Sequence, residues 1–331
     1  QTIGGCHFIR IDVPQVDDQP GYTRYFTNGA IYCMKPTTEE VARALATQLR
    51  ALGVRPGDCV VSYMPNVPET AIAMMATTAI GAVWSSAAPE FGVKTVIERF
   101  TQIAPKVLFA ADGYVFGGKT FRREAEVRRI VSELPTLERV IWLPYLEHAA
   151  PLPDLPGVLG FGSLMDHPDV PRASFRYERV GHRHPLWVVF SSGTTGLPKP
   201  IVHSHVGVLL EHLKVMHFHI NLKPGSVMFF YSTTGWMMWN ILLAALMTGS
   251  AVVLYDGNPA WPEADFLWEL AAATRTTNFG ASPTFVQMME KAGLRPGEKH
   301  DLAALEGVLV SGAPSTPETF DWFYRCVKQD L

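Results

Sequence analysis

The sequence predicts an α/β fold in which layered parallel sheets carry helices on both faces. Short apolar segments alternate with longer amphipathic segments from about Pro36 to the end of the chain. Apolar strands that alternate with helices are typical of parallel sheets buried on both sides. The chain has 331 residues, 47% of them hydrophobic and 18% charged. This length is enough for a large core and for about two domains.

The first helix is predicted from a capping box at residues 37–40, because Glu40 follows Thr37 by three positions. Val41, Leu45 and Leu49 then share one helical face, and Gly53 is placed to end the helix. In the first half of the chain the pattern further predicts strands at 58–64, 106–110, 139–143 and 186–190, and helices beginning near Pro68 and spanning 93–103 and 121–134.

The second half continues the alternation. Strands are predicted at 226–231, 250–255, 276–280 and 307–310, and helices at 236–247, 262–274, 283–291 and 316–327. Residues 144–184 contain a proline-rich stretch and a polar run, so they are interpreted as a loop-rich connection between a first β/α unit, 1–143, and a second unit, 185–331. The last helix should lead into a further strand that would cover a sheet edge, so we expect a longer polypeptide.

Composition excludes several classes of protein. The formal net charge is −3 and no basic stripe is present, which argues against nucleic acid as a partner. Cys6, Cys33, Cys59 and Cys326 lie far apart, which predicts neither a disulfide framework nor a metal site and favours the cytoplasm. No signal peptide is visible, and the most apolar stretches are too short or too interrupted to cross a membrane.

The most informative segment is the loop after the apolar residues 188–190. It contains four hydroxyl residues, two glycines and a lysine, in the order Ser191, Ser192, Gly193, Thr194, Thr195, Gly196, Leu197, Pro198, Lys199. Glycines let backbone N–H groups approach an anion, and a lysine adds a positive charge, so the loop suits the phosphates of ATP. An ordinary Ser/Thr/Gly turn is the simpler alternative. A Walker loop does not fit, because Lys199 lies between two prolines.

The segment 191–199 resembles the phosphate loop of the adenylate-forming superfamily, which includes acyl-CoA synthetases, luciferases and peptide-synthetase adenylation domains. Pro200 departs from the glycine that most members have there. Further likeness lies at residues 65–69, 81–86, 231–240, 280–284 and 311–314. Within the superfamily the likeness is closest to acetoacetyl-CoA synthetases, through residues 89–93, 99–100, 103–109, 112–114, 117–119 and 233–240. The resemblance implies the large N-terminal domain of the adenylate-forming fold, incomplete in this chain.

The resemblance also implies a reaction and a set of site residues. A carboxylic acid would react with ATP to give an acyl-adenylate, from which coenzyme A then displaces AMP, with Mg²⁺ accompanying the nucleotide. By this likeness, Ser191 to Gly196 and Lys199 bind the ATP phosphates. The remaining assignments are the adenine site at Gly312, Ala313 and Pro314, the acyl pocket at Trp236, Met237, Met238 and Ser311, and the coenzyme A site at Gly117, Gly118 and Ala281.

Several alternatives remain open from the sequence. The acid could be acetate or propionate instead of acetoacetate, or the chain could be a nonenzymatic nucleotide-binding module. A kinase or ATPase, or a domain that loads a carrier protein, would share only part of the pattern. The main catalytic lysine is expected beyond Leu331, and no metal ligand is identified. The chain alone is therefore expected to be inactive.

Overall fold

A computed structural model describes residues 2–3, 6–7, 9–10, 29–34, 39–166, 170–191 and 196–331. In chain order the strands are β1 Thr2–Ile3, β2 Cys6–His7, β3 Ile9–Arg10, β4 Gly29–Met34, β5 Cys59–Tyr63, β6 Val83–Ala87, β7 Val107–Ala111, β8 Gly113–Phe116, β9 Lys119–Arg122, β10 Arg139–Leu143, β11 Val158–Gly160, β12 Pro185–Phe190, β13 Pro200–Ser204, β14 Val227–Phe230, β15 Ala251–Gly257, β16 Asn278–Ala281 and β17 Gly307–Val310.

The α-helices are shorter than most of the predicted ranges, because several end in a different kind of turn. They are α1 Glu39–Ala51, α2 Pro68–Ala79, α3 Val93–Phe100, α4 Glu124–Glu133, α5 Phe161–Met165, α6 His205–Lys214, α7 Met237–Ala244, α8 Phe266–Thr274, α9 Pro283–Lys291, α10 Pro296–Lys299 and α11 Pro317–Trp322. Turns of 3₁₀-helix continue α3 and α7 at Thr101–Ile103 and Ala245–Thr248, and π-helical turns continue α6 and α11 at Val215–His219 and Phe323–Val327.

Two large sheets form the framework of the described residues. The first has the order β11-β10-β7-β5-β6-β12-β13, and only its last strand, β13, is antiparallel to its neighbour. The second has the order β17-β16-β14-β15-β4-β3 and becomes antiparallel at β4 and β3. Two small hairpins, β1–β2 and β8–β9, complete the pairing. The predicted α/β architecture of mainly parallel sheets is confirmed.

Helices lie between the two sheets and on both outer faces. The largest buried cluster joins α1 and α2 to inward-facing residues of both sheets, including Trp84, Phe109, Met228 and Leu254. A second cluster packs α8 and α9 on the other face of the second sheet. A third packs α3 and α4 on the other face of the first sheet. The sequence of α2 reflects its position, because apolar residues surround almost its whole circumference.

Hydrogen bonds from buried side chains connect the two sheets. The Asn66 side-chain amide, just before α2, donates to the carbonyls of Ser232 and Tyr255, at 3.3 Å each. Its oxygen accepts from the indole N–H of Trp239 at 2.8 Å. The Thr234 hydroxyl donates to the Met64 carbonyl at 2.9 Å. The end of β5 is thereby fixed against the segment that follows β14.

The predicted elements agree with the structure best where a segment is both apolar and short. Strands 139–143 and 307–310 and helix 283–291 have the predicted bounds. Four helices begin later than predicted. Residues 119–122 form β9 instead of the start of α4, and residues 262–265 form a turn before α8. Trp236 and Thr316 are extended and precede α7 and α11. The predicted capping-box residues Thr37 and Thr38 lie outside the described residues.

Each large sheet contains strands from both predicted units of the chain. Strands β12 and β13, from the range 185–331, complete the first sheet, whereas β4, from the range 1–143, lies in the second sheet. The division at residues 143 and 185 therefore does not follow sheet membership, and it stays a prediction about units of chain. None of the described helices combines the length and the apolar character that a membrane crossing requires.

Replacing Gly280 with alanine should destabilise the protein by about 1–3 kcal/mol. A Cβ atom on Gly280 would lie 2.0 Å from the ring of Phe230, which is buried and cannot move aside. Gly162→Ala is the matched control, because nothing lies within 4 Å of a Cβ atom there. Urea unfolding of both variants measures the effect. Equal stability of the two variants would contradict the packing at Gly280.

Candidate functional site

The candidate site lies where the carboxyl ends of the two sheets meet. In open α/β sheets this is the edge at which ligands bind. The phosphate-loop segment begins directly after β12, and residues 231–236 follow β14. The Ser86 hydroxyl at the end of β6 donates to the Thr234 carbonyl at 2.5 Å. The predicted phosphate and acyl segments therefore face each other across the junction of the sheets.

The phosphate-loop segment connects two antiparallel strands, not a strand and a helix. The Ser191 backbone N–H donates to the Lys199 carbonyl at 3.1 Å, which closes the base of the loop. Gly196 and Lys199 are exposed. Ser192, Gly193, Thr194 and Thr195 lie outside the described residues. The described parts of the loop leave its lysine free to reach a ligand from solvent.

The predicted acyl segment divides into an exposed and a half-buried part. Trp236 has an extended backbone before α7, and 60% of its side-chain surface is exposed. Met237 and Met238 are half-buried against the central core. Trp239 is the tryptophan of this segment that belongs to the core, since it is fully buried. An exposed indole at the carboxyl edge is available to a ligand in a way that a core residue is not.

Trp236 lines a cavity of about 270 Å³ together with the root of the phosphate loop. Phe190, the last residue of β12, Asn240 of α7 and Arg99 of α3 also line it. The neighbouring Gly235 is required for this packing, because a Cβ atom there would lie 2.5 Å from the ring of Phe91. The cavity brings Trp236 of the predicted acyl pocket close to Phe190, the strand residue that directly precedes the phosphate loop.

A second group of predicted residues lies at the ends of β16 and β17. Ala281 pairs with Val310, and the Ser311 N–H donates to the Ala281 carbonyl at 3.3 Å. Gly312 has φ +105°, which glycine adopts without strain, and residues 312–314 are exposed. The residues assigned to adenine thus continue directly from Ser311 of the predicted acyl pocket.

The residues assigned to coenzyme A lie in two different places. Gly117 and Gly118 form the turn of the β8–β9 hairpin with positive φ angles of 58° and 72°. A Cβ atom on Gly118 would lie 2.8 Å from the indole of Trp261. Ala281 instead lies beside Ser311 in the second sheet. A simple surface turn that binds no coenzyme A would explain the two glycines equally well.

Sequence reasoning missed an acid-lined pocket of about 340 Å³ beside the acyl segment. Thr233 and Tyr231 line it, together with Glu90 and Asp256. Asp256 is buried within β15 and accepts a hydrogen bond from the Tyr145 hydroxyl at 2.9 Å. Burial, with the nearby charge of Glu90, raises the pKa of Asp256 to about 7. A lone aspartate in an otherwise apolar strand was the available signal.

Glu90 stands at the rim of this acid-lined pocket. Its side chain is partly exposed to solvent, but the packed pocket walls desolvate the carboxyl and raise its pKa. The Tyr63 hydroxyl fixes the adjacent turn by donating to the Pro89 carbonyl at 2.8 Å. Within the described ranges, no three His, Cys, Asp or Glu side chains are arranged to hold a metal ion. Burial thus raises the pKa of both carboxyls in this pocket.

Comparisons with known proteins agree with the fold and with the motifs. The family model described as AMP-binding enzyme matches residues 37–331, and the chain belongs to this family. It is 36% identical over 304 residues to acetoacetyl-CoA synthetase of Mus musculus, covering 90% of this chain and 45% of the mouse protein. It is 41% identical over 305 residues to acetoacetyl-coenzyme A synthetase of Rhizobium meliloti (strain 1021), covering 89% of this chain and 45% of that protein.

A solved structure gives the same result. Acetoacetyl-CoA synthetase from Streptomyces lividans superposes with a TM-score of 0.82 and 46% sequence identity. The match covers 87% of this chain and 43% of the Streptomyces chain. The chain thus spans about half the length of the relatives it matches.

Asp256 should make stability depend on pH. Its folded pKa of about 7 lies above the usual unfolded value of about 3.9, so folding favours the protonated carboxyl. The contribution is complete below about pH 4 and is lost as the pH rises through about 7. The free energy of unfolding of the natural chain minus that of Asp256→Asn should therefore fall by at most about 4 kcal/mol between pH 4 and pH 8.

Urea unfolding across this pH range measures the difference. Asparagine keeps the shape of the side chain and an oxygen that accepts from Tyr145. Asp321→Asn, which changes an exposed aspartate, controls for the general effect of removing one negative charge. A pH-independent difference for Asp256→Asn would show that this carboxyl is not desolvated.

Proposed function

We propose that this chain is the N-terminal part of an acetoacetate–CoA ligase. In the proposed reaction acetoacetate and ATP form an acyl-adenylate and pyrophosphate, and coenzyme A then releases AMP. The observation that carries the proposal is the cavity lined both by Phe190, at the root of the phosphate loop, and by the exposed Trp236 of the acyl segment. The similarity to acetoacetyl-CoA synthetases supports acetoacetate as the acid.

The nucleotide would lie across the carboxyl edges of both sheets. Ser191 to Gly196 and Lys199 would bind its phosphates through backbone N–H groups, hydroxyls and one ammonium. Gly312, Ala313 and Pro314 would line the adenine with main-chain atoms, which the exposed extended loop after β17 makes available. The chemical step depends mainly on positioning and on neutralising charge, as in other phosphoryl transfers.

The acid would bind between the two groups of nucleotide residues. Trp236, Met237, Met238 and Ser311 would form its pocket, in which the indole limits the length of the acid and the flexible thioethers adapt to it. Gly117, Gly118 and Ala281 would contact coenzyme A. The positive φ angles of the two glycines and the partial or full exposure of the turn support this assignment.

Other parts of the proposed enzyme would come from outside the described residues. Mg²⁺ would be bound with the ATP phosphates, since the described part of the chain offers no arranged group of metal ligands. The main catalytic lysine would belong to polypeptide beyond Leu331. We propose a cytoplasmic enzyme that works on small molecules, with neither nucleic acid nor a membrane as partner.

Acid-dependent exchange of pyrophosphate into ATP tests the proposed function. The full-length protein that contains this chain should catalyse exchange with acetoacetate, and AMP should be the nucleotide product. Acetate, propionate and butyrate should each support at least about tenfold lower kcat/KM, since about 1.4 kcal/mol of differential binding is enough for that ratio. Formation of ADP would indicate a kinase or ATPase, and ATP binding without exchange would indicate a nonenzymatic module. Preference for acetate or propionate would change the assigned acid.

Replacing Trp236 with glycine should shift the preference towards longer acids. Each additional buried methylene is worth about 0.8 kcal/mol, so relative kcat/KM should rise about fourfold per carbon from butyrate to hexanoate. Trp236→Phe, which keeps most of the bulk, is the matched control and should retain the natural profile. An unchanged profile in Trp236→Gly would exclude this residue from the acyl pocket.

A further inference from the structure

Arg99 occupies a position between the phosphate loop and the acyl segment. Its guanidinium carbon lies 4.8 Å from the ring centre of Phe91 and 5.8 Å from that of Phe190. Phe190 is the last strand residue before the loop, and Phe91 packs against Gly235. One guanidinium therefore contacts a ring from each of the two segments that the proposed reaction brings together.

The charge of Arg99 is not compensated within the described residues. Its Nε atom is buried and has no hydrogen-bond partner there, and no carboxylate of that part of the chain forms an ion pair with it. Desolvation lowers the pKa of this guanidinium. The two aromatic faces offset part of the cost of desolvation. The described residues therefore leave the buried Nε atom of this guanidinium without a hydrogen-bond acceptor, which an anionic ligand would provide.

A neighbouring arginine shows what a structural arginine looks like in the same region. Arg123 also lies over an aromatic ring, 5.0 Å from the centre of Tyr114. Its Nε donates to the Pro89 carbonyl at 2.7 Å, and its other nitrogens bind Glu126 at 3.1 Å and the Tyr114 hydroxyl at 3.2 Å. Arg123 thus has protein partners for its guanidinium, whereas Arg99 has rings alone.

The lining of the cavity beside Arg99 suits an anion. It includes Asn240 and Trp236 but no aspartate or glutamate. Asn240 provides a neutral amide, and Arg99 provides the positive charge. The acidic side chains Glu90 and Asp256 line the separate pocket beyond Thr233.

A further contact connects the Arg99 segment to the loop. The side-chain amide of Gln102, one turn after Arg99, donates to the Pro198 carbonyl at 2.9 Å. The loop therefore begins beside Arg99, through Phe190, and ends beside Gln102, through Pro198. Because this segment contacts both ends of the loop, we expect the ligand of Arg99 to be a group that the phosphate loop also binds.

We propose that Arg99 binds an anionic oxygen group of a substrate in this cavity, namely a phosphate of the nucleotide. The proposal deepens the proposed function and rests on it for the identity of the nucleotide. A guanidinium can donate two parallel hydrogen bonds to a phosphate or a carboxylate. The carboxylate of the acid shares this chemistry, so the test measures both anions separately.

Calorimetric titration of the full-length protein with inorganic pyrophosphate and with acetoacetate tests the proposal. Arg99→Met, which keeps the apolar stem on the two rings, should raise the Kd for pyrophosphate at least about tenfold, the expected loss for one charged hydrogen-bonded contact. Arg99→Lys keeps the charge and should show a smaller increase. Arg128→Met removes an exposed arginine that pairs with Glu124 and should leave both Kd values unchanged.

The outcomes separate the possible roles of Arg99. A tenfold increase in the Kd for acetoacetate alone would keep the anion site and assign it to the acid carboxylate. Changes below twofold for both anions in Arg99→Met would overturn the proposal. Binding of pyrophosphate requires no turnover. If Arg99→Met loses affinity for pyrophosphate but the natural protein shows no acid-dependent exchange, the proposed function is wrong and the Arg99 site is still supported.

The melting temperature of the unligated protein distinguishes a ligand-binding role of Arg99 from a structural role. Removing an uncompensated, desolvated cation should leave the melting temperature of Arg99→Met equal to or above that of the natural protein. Loss of a structural arginine would lower it, as expected for Arg123→Met. A lower melting temperature in Arg99→Met together with unchanged Kd values would overturn the proposal.

Discussion

The candidate site depends on the hydrogen bonds by which Asn66 joins the two sheets. Its amide reaches the carbonyls of Ser232 and Tyr255, and its oxygen receives the indole N–H of Trp239. Ser232 follows β14, Tyr255 lies in β15 and Trp239 lies in α7, whereas Asn66 follows β5 of the first sheet. A buried amide with every group satisfied rigidifies its surroundings, and one unsatisfied group would cost the full desolvation energy. The position of Trp236 relative to Phe190 is set by this junction.

The segment that follows β14 separates two environments of opposite charge. On one side Thr233 and Tyr231 line the pocket of Glu90 and Asp256. On the other side Gly235 and Trp236 line the cavity that contains Arg99. The side with Arg99 attracts an anionic ligand. The side with Glu90 and Asp256 repels it when these two carboxyls are ionised. Since the pKa of Asp256 is about 7, that repulsion changes near neutral pH.

The sequence predicted the sheets better than the site, for a physical reason. Short runs of apolar residues have a local signature, so β10 and β17 were found with the correct bounds. Strand β6 was missed because two serines interrupt it, and these serines bond to neighbouring segments, Ser85 to the Val188 carbonyl and Ser86 to the Thr234 carbonyl. The β8–β9 hairpin was missed because β9 is polar and mostly exposed, and residues 121 and 122 were included in the predicted helix 121–134.

Within the site, sequence reasoning found residues that belong to motifs and missed residues defined by distant contacts. Asp256 depends on Tyr145, which lies 111 positions away in the chain. Arg99 directly follows Glu98 and Arg123 directly follows Arg122, and neither local sequence indicates that the guanidinium of Arg123 has protein hydrogen-bond partners whereas that of Arg99 has none among the described residues. Burial and partner geometry distinguish them, and these arise only when the sheets assemble.

Stability and site geometry are coupled because the two sheets share one layer of helices. Helices α1 and α2 contribute to a buried cluster that also contains Met228 and Leu254 of the second sheet. Close packing of this kind transmits small displacements instead of absorbing them. A shift of α2 would carry Asn66, which lies just before it, away from Trp239. The separation between the phosphate loop and the acyl segment is therefore a property of the core, and substitutions far from any ligand can change it.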